Sequence, residues 1–338
     1  MKKEKSLIVS ILGAGSWGGT LAWLLSSKGI KVNLWTFSNE EYNAIKKSNS
    51  LLRPVKIKLN KNIRLTTDLR YTVDKGNILI IAVPTNAFKS TIQEIKNYKI
   101  KKDSVILSAT KGITTNENLR PSQILKKYLP RNPIAVLSGP NIAMDVVSKA
   151  PIISVIGSTS VKTATLLQKL LSSRHFRIYL NNDINGVEIA GALKNVIALA
   201  AGMSDGFGFN ISTKAALISR GLTEIARIVV KEGGKAKTLL GAAGIGDLIA
   251  TCCSTNSRNY RVGFSLAKGK KLKDILKSLG QVAEGTETVK SMISLAKKHK
   301  VDVPIAQGVY NIIYRNKKPE TELKNLLERQ PAKYEIEF

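Results

Sequence analysis

Gly13-Ala14-Gly15-Ser16-Trp17-Gly18 lies between an apolar run, Leu7-Ile8-Val9-Ser10-Ile11-Leu12, and the helix-patterned Thr20-Leu21-Ala22-Trp23-Leu24-Leu25. An apolar run of that length reads as a buried parallel strand. Strand, glycine turn and helix in immediate succession give a GxGxxG its meaning as a dinucleotide fingerprint, where the bare motif alone is often only a turn. The first glycine, Gly13, permits the tight turn, and Gly15 lets backbone approach a pyrophosphate with no Cβ in the way. Gly18 lets the helix pack close to the strand, and the helix N-terminus offers its N–H groups to phosphate.

The chain has 338 residues, more than one hydrophobic core usually supports, so two domains are expected. No apolar run is expected to reach the roughly 20 residues that span a membrane. Met1-Lys2-Lys3-Glu4-Lys5 before the first apolar stretch imitates a signal peptide, but that stretch runs straight into the glycine loop without a small-residue cleavage site. It reads as the first strand of a cytoplasmic protein. The two cysteines, Cys252 and Cys253, are adjacent and fit neither a disulfide framework nor a zinc spacing, so no metal site is expected. The net charge of +29 invites a nucleic-acid partner. The lysines, however, are spread along the chain, in short clusters such as Lys268-Gly269-Lys270-Lys271, with no basic patch interleaved with aromatics. Such a field still draws anionic substrates and cofactors in a salt-dependent way.

Strand patterns recur through the first half: 31–35, 63–67, 77–83, 104–109, 134–137, 152–157 and 176–180. Helical patterns separate them, which predicts a doubly wound, mostly parallel α/β sheet of Rossmann type. Ligands on such sheets bind beyond the carboxyl ends of the strands, where the polar breaks Pro84-Thr85, Lys111-Gly112 and Ser138-Gly139-Pro140 fall. After Asp183 the period changes, and 188–203, 212–231, 258–268, 286–300 and 305–315 all carry helical spacing. The expected division is a dinucleotide-binding domain over 1–182 and an all-helical substrate and catalytic domain over 183–338, with a frayed tail from Gln330.

An acidic residue at the end of the second strand usually selects NAD by bonding the ribose 2′-hydroxyl. Here that region reads Trp35-Thr36-Phe37-Ser38-Asn39-Glu40, with Glu40 expected inside the following helix. The missing carboxylate leans toward NADP or toward acceptance of both cofactors, while no arginine stands there to grip a 2′-phosphate.

Three polar clusters punctuate the helical half. In Gly191-Ala192-Leu193-Lys194-Asn195, Gly191 and Asn195 stand one turn apart with Lys194 beside them, so all three can face one cleft. A desolvated lysine has a lowered pKa and can work as an acid or base near neutrality, whereas a snorkelling lysine does neither. The spacing does not choose between them. Gly244-Ile245-Gly246-Asp247-Leu248 is followed by Ser257-Arg258-Asn259, which opens a helix. Free N–H groups, a guanidinium and an amide converge there, as they do where an anion is held, although Ser257 also fits an ordinary N-cap. Glu284, in Val282-Ala283-Glu284-Gly285, equally fits first-turn compensation of a helix dipole.

Taken in order, these segments, together with Thr110-Lys111-Gly112-Ile113, Ser138-Gly139-Pro140 and Asn256-Ser257-Arg258-Asn259, resemble bacterial-type NAD(P)-dependent glycerol-3-phosphate dehydrogenase from Leu7 to about Arg315. The resemblance implies reversible reduction of dihydroxyacetone phosphate to sn-glycerol 3-phosphate, a phospholipid precursor, with NADP or NAD as cofactor. It implies that Ser16 and Trp17, in the Gly13, Gly15 and Gly18 loop, touch the cofactor, with Phe37, Ala143, Val282 and Glu284 also lining its site. Lys111 would lie near both cofactor and substrate, and Gly139 and Asn141 in the substrate loop. Lys194 would transfer the proton, and Asp247 would orient it or bind the glycerol hydroxyls. Ser257, Arg258 and Asn259 would hold the substrate, with Arg258 also reaching the cofactor. The family further implies a homodimer, while the scattered lysines and the expected lack of a spanning apolar run predict no nucleic-acid partner and no stable membrane insertion. Two positions depart from its pattern: Phe37 where arginine or histidine is frequent, and Asn141 where serine or threonine is usual. A related β-hydroxyacid dehydrogenase also joins a fingerprint to a lysine–asparagine helix, but needs a carboxylate site in place of a phosphate site. A basic nucleic-acid binder on a Rossmann scaffold is the alternative from another class, favoured by the charge and opposed by the set Lys111, Lys194, Asp247 and Arg258.

Overall fold

A computed structural model describes residues 7–279, 283–330 and 334. The chain divides into two compact units: Met1–Thr110 with Pro121–Ile184, and Lys111–Arg120 with Asn185–Phe338. The short segment Lys111–Arg120 therefore leaves the first unit in mid-sequence and joins the second, an excursion that a single boundary at 182 does not describe.

The first unit is built on strands β1 (Ile8–Leu12), β2 (Lys31–Trp35), β3 (Ser50–Leu51), β4 (Ile57–Lys58), β5 (Ile63–Thr66), β6 (Ile78–Ile81), β7 (Val105–Ser108), β8 (Ile134–Ser138), β9 (Ile152–Gly157) and β10 (Phe176–Asn181). Eight of them form one sheet in the order β10-β9-β8-β7-β6-β1-β2-β5. β1 is central, with Val9 opposite Val32 of β2 on one side and Ile78 of β6 on the other. The strand order reverses between β1 and β6, and such a switch point is where open α/β sheets bind ligands. Central strands buried on both faces explain the continuous apolar runs: all four residues of β6 and of β7 are buried. β8 and β9 pair antiparallel, so β9 and β10 run against the other six. Their connection carries only the five-residue helix Ala143–Val147, about 7–8 Å long, which does not return the chain along the strand. The hairpin of β3 and β4 stands apart from the main sheet and was not expected from the pattern.

The second unit packs around the helix Ile184–Gly206. By length and composition this helix reaches what crosses a membrane, with a mean hydropathy of 1.3, against the expectation that no segment would. Its apolar window is entirely buried, as befits a core helix, and this is why it is apolar all round. Among the described residues no strand follows Asn181. Beyond the helices expected from periodicity, the unit contains Asp247–Cys252, Leu272–Leu279 and Pro319–Leu327, and a π-helical turn at Ala242–Gly246.

Helix Arg258–Ala267 meets the central helix backbone to backbone. A Cβ on Gly263 would lie 1.9 Å from the Leu199 carbonyl oxygen, and one on Gly202 would lie 2.0 Å from that of Tyr260. Backbone atoms on both sides leave no side chain to give way. Gly263→Ala is expected to lower the unfolding free energy by about 1–3 kcal/mol, the cost of overpacking a filled interior. A denaturant titration that left the midpoint unchanged would show that the two helices can separate freely.

Candidate active site

In the first unit the glycine loop has the three geometries its sequence calls for. Gly13 has φ +110°, and a Cβ there would lie 2.7 Å from the Ala82 carbonyl oxygen just past β6. Gly18 packs against the Gly13 carbonyl, 1.9 Å from its would-be Cβ. Gly15 differs: nothing lies within 4 Å of where its Cβ would stand. It is the N-cap of helix Ser16–Ser27, and no side chain caps that helix end and no acidic residue occupies its first turn. The first N–H groups of a helix have no intrahelical partner, so this end presents donors and a positive dipole over open space. An uncapped helix end above a cradle that a Cβ would fill fits the pyrophosphate of a dinucleotide. The Trp17 indole nitrogen is buried without a hydrogen-bond partner, while its ring stands edge-on to Phe176 at 6.5 Å. Phe37, expected beside the ribose, is 87% exposed and meets Trp35 edge-on at 6.3 Å.

Gly139 follows β8 with φ +118°, its would-be Cβ 2.9 Å from the Ser154 Cα of β9. The Asn141 amide donates to Ser154 Oγ at 3.0 Å, so part of its hydrogen-bonding capacity serves the loop itself. Ala143 begins the short helix that follows.

The second unit gathers three of the expected residues into one cluster. Lys194 is only 7% exposed on the central helix, which removes the snorkelling alternative. Its Nζ donates to Asp247 Oδ1 and, at 2.6 Å, to Thr251 Oγ1. Lys111 Nζ donates to the other carboxylate oxygen, Asp247 Oδ2, at 2.9 Å. Asp247 is 2% exposed and begins helix Asp247–Cys252 directly after the π-helical turn. One turn on, Thr251 Oγ1 donates to the Asp247 carbonyl at 2.6 Å. Burial holds the Lys111 amine down to about 8, with Lys194 pushing the same way and Asp247 opposing.

Lys111 reaches this cluster because its segment is anchored to the second unit. Ile113 is buried in that unit's core, and its carbonyl accepts from Ser291 Oγ at 3.2 Å. Asn118 donates to Ser294 Oγ at 2.7 Å. Arg120 is buried and donates to Asn185 Oδ1 at 2.6 Å, beside the carboxylate of Glu188 at 3.6 Å. Neither the buried Arg120–Glu188 pair nor Thr251 was foreseen. Thr251 had a signal, four residues from Asp247 on one helix face.

Ser257 accepts from the Tyr260 N–H at 3.3 Å and is the N-cap of helix Arg258–Ala267. Arg258 is the exposed first residue of that helix. Asn259 is buried, and its Oδ1 accepts from the Gly285 N–H at 2.9 Å. A Cβ on Gly285 would lie 2.6 Å from the Asn195 carbonyl oxygen, which brings Asn195, Asn259 and the start of helix Glu284–His299 together. Glu284 opens that helix; Val282 lies outside the described residues. Burial pushes the Cys252 thiol up to about 12, which keeps it protonated and inert. Among the described residues no group of three or more His, Cys, Asp or Glu side chains is placed to hold a metal ion.

Residues 8–164 match the family model of the NAD-dependent glycerol-3-phosphate dehydrogenase N-terminus, and residues 183–324 match that of its C-terminus. The chain is 41% identical over 327 residues to glycerol-3-phosphate dehydrogenase [NAD(P)+] of Bacillus subtilis, covering 95% of this chain and 94% of the relative. It is 40% identical over 328 residues to the protein of that name from Thermoanaerobacter sp. (strain X514), covering 97% and 98%. The crystal structure of glycerol-3-phosphate dehydrogenase from Coxiella burnetii superposes with a TM-score of 0.91 at 34% identity, over 96% of this chain and 99% of that one. The two family models together span most of the chain and the fold agrees with them, and the chain belongs to the NAD-dependent glycerol-3-phosphate dehydrogenase family.

Proposed function

We propose that this protein reduces dihydroxyacetone phosphate reversibly to sn-glycerol 3-phosphate with NADH or NADPH, and so supplies phospholipid synthesis, with Lys194 as proton donor and acceptor. The observation that carries the assignment of Lys194 is its burial on Asp247 beside Lys111, in a chain whose relatives bear this activity in their names. The bound dinucleotide supplies a hydride in one direction and accepts it in the other. The backbone N–H groups that follow Gly15, with Ser16 and Trp17, hold its pyrophosphate, and Phe37 and Ala143 border its site.

Negative charge grows on the carbonyl oxygen during reduction. Asp247 and Thr251 engage two of the three N–H donors on Lys194 Nζ, which leaves a third to donate to that oxygen and deliver the proton. In the reverse direction the neutral amine takes the proton back. Lys111 adds a second positive charge on the same carboxylate and stabilises the oxyanion. Asp247 holds both amines in place and offsets one of their two charges. Arg258, with Ser257 and Asn259 at their helix start, binds the phosphate, and Gly139 and Asn141 complete the substrate loop. A homodimer in the cytoplasm, without nucleic acid or membrane insertion, belongs to the same proposal. Lysines spread along the chain rather than gathered in a patch support the absence of a nucleic-acid partner, and the full burial of the one long apolar helix among the described residues supports the absence of membrane insertion.

Initial rates with dihydroxyacetone phosphate and with small hydroxyacids, each with NAD(H) and NADP(H), test the activity. Saturable turnover of the triose phosphate is expected, and turnover of hydroxyacids alone would sink the reading. Lys194→Met is expected to lower kcat by roughly 10²–10⁴-fold with little change in KM, the range for loss of a general acid. An unaltered kcat would remove Lys194 from the proton transfer.

The pH dependence follows from Lys111. Its amine is charged below about 8 and neutral above, so the rate of reduction is expected to fall as pH rises through that value. Lys111→Arg keeps its charge throughout and should move this limb upward. A limb that stays in place in the variant would assign it to another group.

Gly15→Ala separates cofactor binding from folding. Its φ of −62° suits alanine and the site has room for a methyl group, so the thermal midpoint should hold. The methyl would stand where backbone meets pyrophosphate, so NADH binding followed by fluorescence should weaken. Unchanged affinity would place the pyrophosphate elsewhere.

A further inference from the structure

The sequence offers no arginine directly after β2, yet the fold brings one there. Helix Asn39–Ser48 is capped by Ser38, whose Oγ accepts from the Glu41 N–H at 3.1 Å. This turns the Glu41 side chain back toward the strand end, where Oε2 accepts from Thr36 Oγ1 at 2.5 Å. The other oxygen, Oε1, is paired with the guanidinium of Arg53. Arg53 comes from the turn between β3 and β4, and its hairpin is pinned by the buried Leu51 and by the Leu59 N–H on the Asn49 carbonyl at 2.9 Å. The Arg53 carbonyl lies 3.7 Å from where a Cβ on Gly19 would stand, in the first turns of the helix that follows the glycine loop. The loop itself is tied to the same strand end, since the Gly13 N–H donates to the Trp35 carbonyl at 3.0 Å. Arg53 and Glu41 thus sit together at the tip of β2 beside the glycine loop, where a Rossmann fold receives the adenosine ribose.

The two partners are not equivalent there. Both carboxylate oxygens of Glu41 are engaged, and its side chain is 17% exposed. The Arg53 side chain is 39% exposed, and one of its five N–H groups faces Glu41. The carboxylate is neutralised and turned inward, while the cation keeps donors toward solvent. A carboxylate turned inward and paired with a cation is poorly presented to a 2′-hydroxyl, and a guanidinium so placed suits a phosphate dianion. The geometry points to Arg53 as the residue that receives the 2′-phosphate of NADP, with Glu41 as the arm that holds it ready. This inference rests on the cofactor reading above and adds a determinant of cofactor choice to it.

Calorimetric titration with adenosine 2′,5′-bisphosphate and with ADP, which lacks the 2′-phosphate, tests it without turnover. The unaltered protein is expected to bind the bisphosphate more tightly. Arg53→Ala should weaken the bisphosphate by roughly ten- to a hundredfold and leave ADP within about twofold, as loss of a charge-assisted hydrogen bond predicts. Arg53→Lys, which keeps the charge without the planar fork, should fall between them and guards against a folding defect in the alanine variant. Equal weakening of both ligands, or a bisphosphate affinity that does not change, would overturn the role of Arg53 while the dinucleotide site stands. Binding of neither ligand by the unaltered protein would overturn both.

Discussion

Asp247 is a single buried carboxylate that holds two amines, one on each oxygen. Three ionisable groups taken from water together carry a desolvation cost that their mutual attraction rarely exceeds. Such a cluster is therefore a poor source of stability, and under the proposed function its value lies in fixing where charge stands before a substrate arrives. Removing the carboxylate would leave two cations in one buried place, each raising the cost of the other. The surrounding structure is arranged to make the cluster possible. A π-helical turn aims Asp247 inward, Thr251 closes the next turn over it, and the Lys111–Arg120 segment is fastened at Ile113, Asn118 and Arg120.

The features that were legible in the sequence are those decided by neighbours in the chain. The glycine loop, the alternation of strands and helices and the helical second half are all set by local period and turn chemistry, and the structure has them within a few residues. The reversed direction of β9 and β10 was not legible, because direction depends on where a connection lands and not on the pattern within a strand. The excursion of Lys111–Arg120 was hidden for a related reason. Its assignment to the second unit is written in contacts with residues such as Asn185 and Ser291, 65 and 176 or more positions away in sequence. The Glu41–Arg53 pair was not legible because Glu41 lies inside the helix that follows the strand, and because Arg53 arrives from a hairpin that has two-residue strands.

Several residues had two readings, and burial chose between them. Lys194 is enclosed, so it is not a surface lysine with a buried stem. Ser257 caps its helix as an ordinary serine does, yet capping uses only an acceptor lone pair and leaves the hydroxyl proton for a ligand. Its capping role is compatible with the binding role proposed for it. Cys252 shows the opposite outcome: it lies near the lysine cluster, but its protonated thiol makes it a small apolar filler.

Glycines inside helices carry a cost of about 0.8–1.0 kcal/mol each relative to alanine. The second unit nonetheless places Gly202 and Gly206 in its central helix and Gly263 in the helix that crosses it. At each of these positions a Cβ would collide with backbone or with a packed neighbour. The close crossing brings the start of helix Arg258–Ala267 to a fixed place along the central helix, and Asn259 then ties Gly285 beside Asn195. A looser crossing padded with alanine would recover helix propensity and lose that registration. The unit spends local stability on small residues and buried charge alike, and both expenditures fix the position of polar groups that a stability-driven core would omit.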